Sequence, residues 1–113
     1  MKREEFDKLV EERINKIRET LIIKGKEYQR NDDVLHNFNR ASSITGEVRE
    51  KLMWGFALKH LVSFMDILDD CEKSKFPSIE TLEEKIGDLI NYLILEEAAI
   101  KEKIKLSEHG NKE

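Results

Sequence analysis

A chain with one proline, at position 77, and five glycines in 113 residues has few places to turn. Few turns mean few, long elements. Apolar residues recur three and four positions apart along nearly all of the sequence, which is the helical period. No alternating apolar pattern of useful length is present, so no sheet is expected.

Phe6, Leu9, Val10, Ile14, Ile17 and Leu21 form one stripe and predict a first helix over residues 2–24. Gly25 stands where a C-terminal glycine is expected. Asn31, Asp32 and Asp33 form an N-cap cluster for a short second helix, residues 32–43. Thr45 can cap a third helix over 46–73, whose apolar positions from Val48 to Leu68 spread into a wide face. Residues 73–77 are a short connector, and Ser78 caps a fourth helix that continues past Ile104. The expected architecture is all-α: an antiparallel bundle of three long helices and one short helix. One domain over residues 1–106 and a polar, frayed tail over 107–113 complete the layout.

Hydrophobic and charged residues each make up 39% of the chain, which suits helices with one apolar stripe and argues against disorder. The net charge of −4 argues against nucleic acid as the main partner, because phosphate backbones call for clustered Lys and Arg. The lone Cys71 excludes an intrachain disulfide and fits a packing role. The N-terminus is charged throughout, with no secretion signal, and no apolar run reaches membrane-spanning length. The cytoplasm is the expected location.

The least ordinary feature is a polar group inside the most apolar helix. Glu84, Asp88 and Asn91 are four and three positions apart, so they share a face among Ile, Leu and Tyr. A buried ionised carboxylate costs several kcal/mol unless a cation, metal or donor compensates it. Gly87 costs roughly 1 kcal/mol against Ala in mid-helix and suits a close approach. The preceding helix offers Lys59, Ser63, Asp66 and Asp70 as a polar stripe, with His60 beside it. In an antiparallel hairpin, Asp66 falls opposite Glu83 or Glu84, Ser63 opposite Gly87, and Lys59 near Asp88 and Asn91. Glu27, Asp32, Asp33 and His36 offer a further contribution.

Two readings of this seam stay open. In one, carboxylates from two helices hold magnesium, which takes oxygen ligands and bridges a nucleotide phosphate. In the other, Lys59 pairs with Asp88 and the network only fixes helix register.

Glu84-Lys85-Ile86-Gly87-Asp88-Leu89 resembles the second acidic motif of the MazG-like, all-α nucleoside triphosphate pyrophosphatases. Asp88 matches that motif's aspartate, and Lys85 stands where it has glutamate. Asp66-x-x-Asp69 resembles the first motif with shortened side chains. The resemblance implies an oligomeric helical bundle that binds magnesium and cleaves nucleotides between the α and β phosphates. Further strings resemble a family of small uncharacterised proteins encoded by phages and prophages. They are Lys24-Gly25-Lys26-Glu27-Tyr28, Asn31-Asp32-Asp33, Asn37-Phe38, Arg40-Ala41, Trp54-Gly55, Lys59-His60-Leu61-Val62-Ser63, and Glu84 to Leu93. This second likeness spans roughly residues 20–95. It implies a phage-linked origin and expression in the cytoplasm of an infected bacterium, where such proteins are sometimes linked to nucleotide metabolism.

The expected ligand set is therefore Glu84, Asp88 and Asp66 for magnesium, with Lys59 and His60 at phosphate or base. Ser63, Asn91, Glu27 and Asp32 are further ligand-binding candidates. The alternative is a non-enzymatic phage accessory or anti-defence protein that binds a host protein or a signalling ligand. Under either reading a homodimer is expected, formed by an isologous interface using Met53, Trp54, Phe56 and the Leu89–Ile94 face.

Overall fold

The computed structural model describes the backbone of residues 1–112 and the side chains of residues 1–27 and 29–109. The described residues are all helical, apart from turns and one isolated bridge between Arg30 and Asp33. The elements are α1 (Arg3–Ile17), a π-helical segment (Arg18–Lys24), α2 (Gly25–Tyr28), α3 (His36–Thr45), α4 (Arg49–Glu72) and α5 (Ile79–Lys112). None of the described helices is long and apolar enough to cross a membrane. The chain divides into two compact units, one of Met1–His36 and one from Asn37 onward.

In the first unit the expected helix forms but does not stop at Gly25. That residue is right-handed helical at φ −56 and ψ −32, and the chain leaves the helix only at Gln29, where ψ reaches 155. Thr20, Ile22 and Ile23 place three β-branched side chains in one turn, which crowds the α register and accompanies the wider π winding. The left-handed residues are Asn31 and Asp32, at φ 54 and 59. Asn and Asp tolerate this region because their short polar side chains bond locally. The acidic cluster is consequently a turn and not a cap at position 32. Asp33 Oδ1 accepts the Leu35 N–H at 3.0 Å and the Asp33 carbonyl accepts the His36 N–H at 3.2 Å, so α3 begins at His36. No residue of α1 is buried, and its stripe residues Phe6, Leu9, Val10 and Ile14 remain exposed.

In the second unit the helix-ending glycine is Gly46, at φ +76, whose N–H reaches the Ser42 carbonyl at 2.9 Å. Thr45 serves this corner. Its hydroxyl donates to the Ala41 carbonyl at 3.1 Å and accepts the Glu47 N–H at 3.2 Å. The helix that follows starts at Arg49, capped by the backbone of Val48 with no side-chain bond. A Cβ built on Gly46 meets nothing within 4 Å, so its conformation alone decides a substitution. Gly46→Ala is expected to cost about 1–2 kcal/mol, and Gly46→Asn less. Urea denaturation of the two variants measures the difference.

α4 and α5 form an antiparallel hairpin. α4 ends on a Schellman closure: Lys75 N–H bonds the Asp70 carbonyl at 2.9 Å and Ser74 N–H bonds that of Cys71 at 3.0 Å. Ser74 takes the left-handed position at φ 58. Pro77 follows, and Ser78 caps α5 as expected, its Oγ accepting the Thr81 N–H at 3.1 Å. α5 then runs for 34 residues, through the segment from Ser107 that was expected to fray. Leu52, Met53 and Ala57 of α4 and Ala99 of α5 are buried. Met53 is fully enclosed, so it is not part of the outer surface assigned to it from the sequence.

Candidate functional site

The seam between α4 and α5 carries the expected polar residues, in a register one position from the expected one. His60, not Lys59, meets Asp88: the imidazole Nδ1 lies 3.2 Å from Asp88 Oδ2. Successive helix residues point about 100° apart, so a shift of one position moves Lys59 out to solvent and turns His60 inward. The His60 and Asp88 side chains are 27% and 35% exposed, so the pair sits at the lip of the seam, reachable by a solute.

Tyr92, one turn beyond Asp88 on α5, stacks on the His60 ring with centroids 5.3 Å apart and planes 29° from parallel. Phe38 of α3 meets Tyr92 edge-on at 6.4 Å and Phe56 of α4 at 6.3 Å. Three helices therefore contribute to one aromatic wall. Burial raises the Tyr92 pKa above the ordinary phenol value, and the negative charge of Asp88 adds to it. Tyr92 thus stays an O–H donor. It was legible in the sequence as the residue four past Asp88, on the same face.

Asn91 Oδ1 is buried and meets no hydrogen-bond donor among the described residues. An unmet buried acceptor costs about 1–3 kcal/mol. Glu84 lies one turn before Asp88 and is exposed, as are Lys59 and Asp66 on α4, whereas Ser63 is half-buried. Glu27 and Asp32 belong to the first unit. Glu27 is exposed on α2, and Asp32 accepts a hydrogen bond from Gln29 Nε2 at 3.3 Å. Among the described residues no three His, Cys, Asp or Glu side chains gather at metal-binding spacing. Magnesium asks for less, since it keeps several waters and uses one or two carboxylates with substrate phosphates. Glu84 and Asp88, one helical turn apart, meet that smaller requirement.

A second cluster, absent from the sequence reading, lies at the other end of the hairpin. The Arg49 guanidinium bonds Glu50 Oε2 at 2.7 Å, Asn39 Oδ1 at 3.0 Å, Glu102 Oε1 at 2.8 Å and the Ala99 carbonyl at 2.9 Å. Lys103 pairs with the other Glu50 oxygen. The Arg49 and Glu50 side chains are only 11% and 14% exposed. Burial alone lowers the Arg49 pKa, but hydrogen bonds and charge from Glu102 and Glu50 outweigh it and raise it. Burial alone raises the Glu50 pKa, and bonds from Lys103 and Arg49 reverse this to a net lowering. With every Arg49 nitrogen engaged, this cluster ties α3, α4 and α5 together. Its signal in sequence is slight, because its members lie 10, 50 and 53 positions from Arg49.

Compared with known protein families, curated proteins and solved structures, the chain matches none.

Proposed function

We propose that this chain is a MazG-like helical protein of phage type that binds or hydrolyses a nucleotide with magnesium at the α4–α5 seam. The observation that carries this reading is the constellation at Asp88: a carboxylate paired with the His60 imidazole, on which the Tyr92 ring stacks, with Glu84 one turn away. Glu84 and Asp88 hold the cation, with Asp66 as a further ligand. When bound, the ion neutralises phosphate charge. Lys59 and His60 meet phosphate or base, and Ser63 lies beside them on α4. Asn91 lies one turn beyond Asp88, with its Oδ1 closed to solvent. Glu27 and Asp32 are outer candidates. The protein works in the cytoplasm of a bacterial host, as a homodimer.

Asp88→Asn keeps the shape of the side chain and removes its charge. It is expected to weaken nucleotide–magnesium binding by at least about tenfold while the helical circular dichroism is unchanged. Isothermal titration with nucleoside triphosphates and magnesium, alongside hydrolysis assays, measures both states. A flat titration and a blank assay for the unmodified protein would discard the reading.

The exposed apolar residues of α4, Trp54, Leu58, Val62, Met65 and Leu68, favour a second reading. In it the chain is a non-enzymatic accessory or anti-defence protein that binds a host protein through this face. Host-protein binding that survives Asp88→Asn and is lost with Leu58→Lys separates the two.

A further inference from the structure

Three observations on α4 converge. First, Trp54, Leu58, Leu61, Met65 and Leu68 recur at alternating spacings of four and three, the seam of a coiled coil over two heptads. By helical angle Trp54, Leu58 and Met65 lie to one side of the buried Met53 and Ala57, with Leu61 and Leu68 between them and half-buried Leu61 at the centre. Trp54 is 44% exposed, Leu58 40%, Met65 53% and Leu68 51%.

Second, Gly55 sits inside the helix beside Trp54, where glycine costs about 1 kcal/mol against Ala. A Cβ built on it meets nothing within 4 Å among the described residues. A second backbone brought close to α4 would account for a glycine there.

Third, the charges of α4 run against its dipole. In its first turn Arg49 is paired with Glu50, which leaves Lys51, while Asp66, Asp69, Asp70 and Glu72 lie in its second half. The dipole favours the reverse arrangement. An antiparallel copy of the same helix sets each Lys51 beside an acidic end.

We propose that α4 packs against α4 of a second copy of this chain, antiparallel, across a two-fold axis near Leu61 and Val62. One register satisfies all three observations. With Lys51 level with the second copy's Glu72, Trp54 comes level with its Asp69, Gly55 with its Leu68 and Leu58 with its Met65. A leucine then lies level with the glycine, and an aspartate level with the indole. The contact is isologous, so it closes at two copies. This deepens the homodimer reading by fixing its interface, and it does not depend on the nucleotide.

Sedimentation of the full chain across a concentration series tests it, read together with emission of Trp54, the sole tryptophan. A dimer is expected, with emission shifting to shorter wavelength as it forms. Gly55→Leu has open space in the single chain, so its thermal melt at high dilution is expected to hold while the dimer Kd rises about a hundredfold, two overpacked sites per dimer. Glu72→Lys is expected to weaken the dimer about tenfold by opposing Lys51, and Lys51→Glu in the same chain to restore it. If Gly55→Leu fails to fold, this charge exchange decides. A monomer at every concentration overturns both the homodimer and this interface. A dimer indifferent to Gly55→Leu and to the charge exchange overturns this interface alone. Nucleotide titration of the Gly55→Leu monomer reports separately on the seam.

Discussion

Replacing Arg49 with Ala is expected to destabilise the protein by about 2–3 kcal/mol, the cost of leaving the charged and carbonyl partners of a part-buried network unmet. Glu50 and Glu102 would lose the cation between them, the Ala99 carbonyl its donor, and Asn39 its tie to α4. Against a total stability of about 5–15 kcal/mol for a domain, such a loss is a large fraction. Urea denaturation followed by circular dichroism measures it. Arg49→Lys is expected to recover little, since a single ammonium cannot reach four acceptors held in the plane of a guanidinium. The same network sets an acid limit. The Glu50 pKa is lowered in the folded chain, so its contribution is complete above the unfolded carboxylate value of about 4.3 and fades as pH falls through the lower folded value. In Arg49→Ala much of that acid sensitivity should disappear, leaving a flatter stability profile below pH of about 5. Glu96 has the opposite sign. Burial, then the charge of Glu50, raises its pKa, so its ionised form costs stability as pH rises.

Met53→Ala is expected to cost about 2–5 kcal/mol, because the side chain is fully enclosed and its removal leaves a cavity. Met53→Leu, which nearly conserves volume, should cost less than about 1.5 kcal/mol. The pair of variants separates lost packing from lost interface. If Met53 lay on an outer surface, both changes would be nearly silent in stability and would alter only self-association. Thermal melts at several protein concentrations distinguish the two outcomes, since an association effect depends on concentration and a cavity does not.

The all-helical class was legible because periodicity is a local property that tertiary context rarely overrides in long stretches. The Ser78 cap and the short connector before it were legible for the same reason: a serine after the lone proline leaves few alternatives. The hairpin register followed from connector length to within one residue, and that residue mattered, since it exchanged Lys59 for His60 as the neighbour of Asp88. Gly25 misled because flanking lysines and a glycine resemble a helix end, while in that unit the left-handed conformation was supplied by Asn31 and Asp32. The π winding gave no compositional sign beyond its β-branched residues. Arg49 was invisible because one guanidinium gathers acceptors from three helices, and no local pattern announces such a meeting. Of the candidate ligands, the seam brings His60 and Asp88 together with Tyr92 and keeps Glu84 on the same helix face. Glu27 and Asp32 are turn and surface residues of the first unit.

Ala57 and Ala99 are both closed to solvent, at 1% and 0% exposure. Each puts only a methyl group where α4 and α5 come together. The spacing of the two helices is therefore a dimension inherited from residues that a solute beside His60 and Asp88 has no need to touch: Ala57 within one turn of His60, and Ala99 at the Arg49 end. Divergence in helix spacing among descendants of this chain would be written at positions 57 and 99, as Ala exchanged for Gly, Ser or Val, while the polar residues stayed the same. A lineage could change what it holds by changing its spacers.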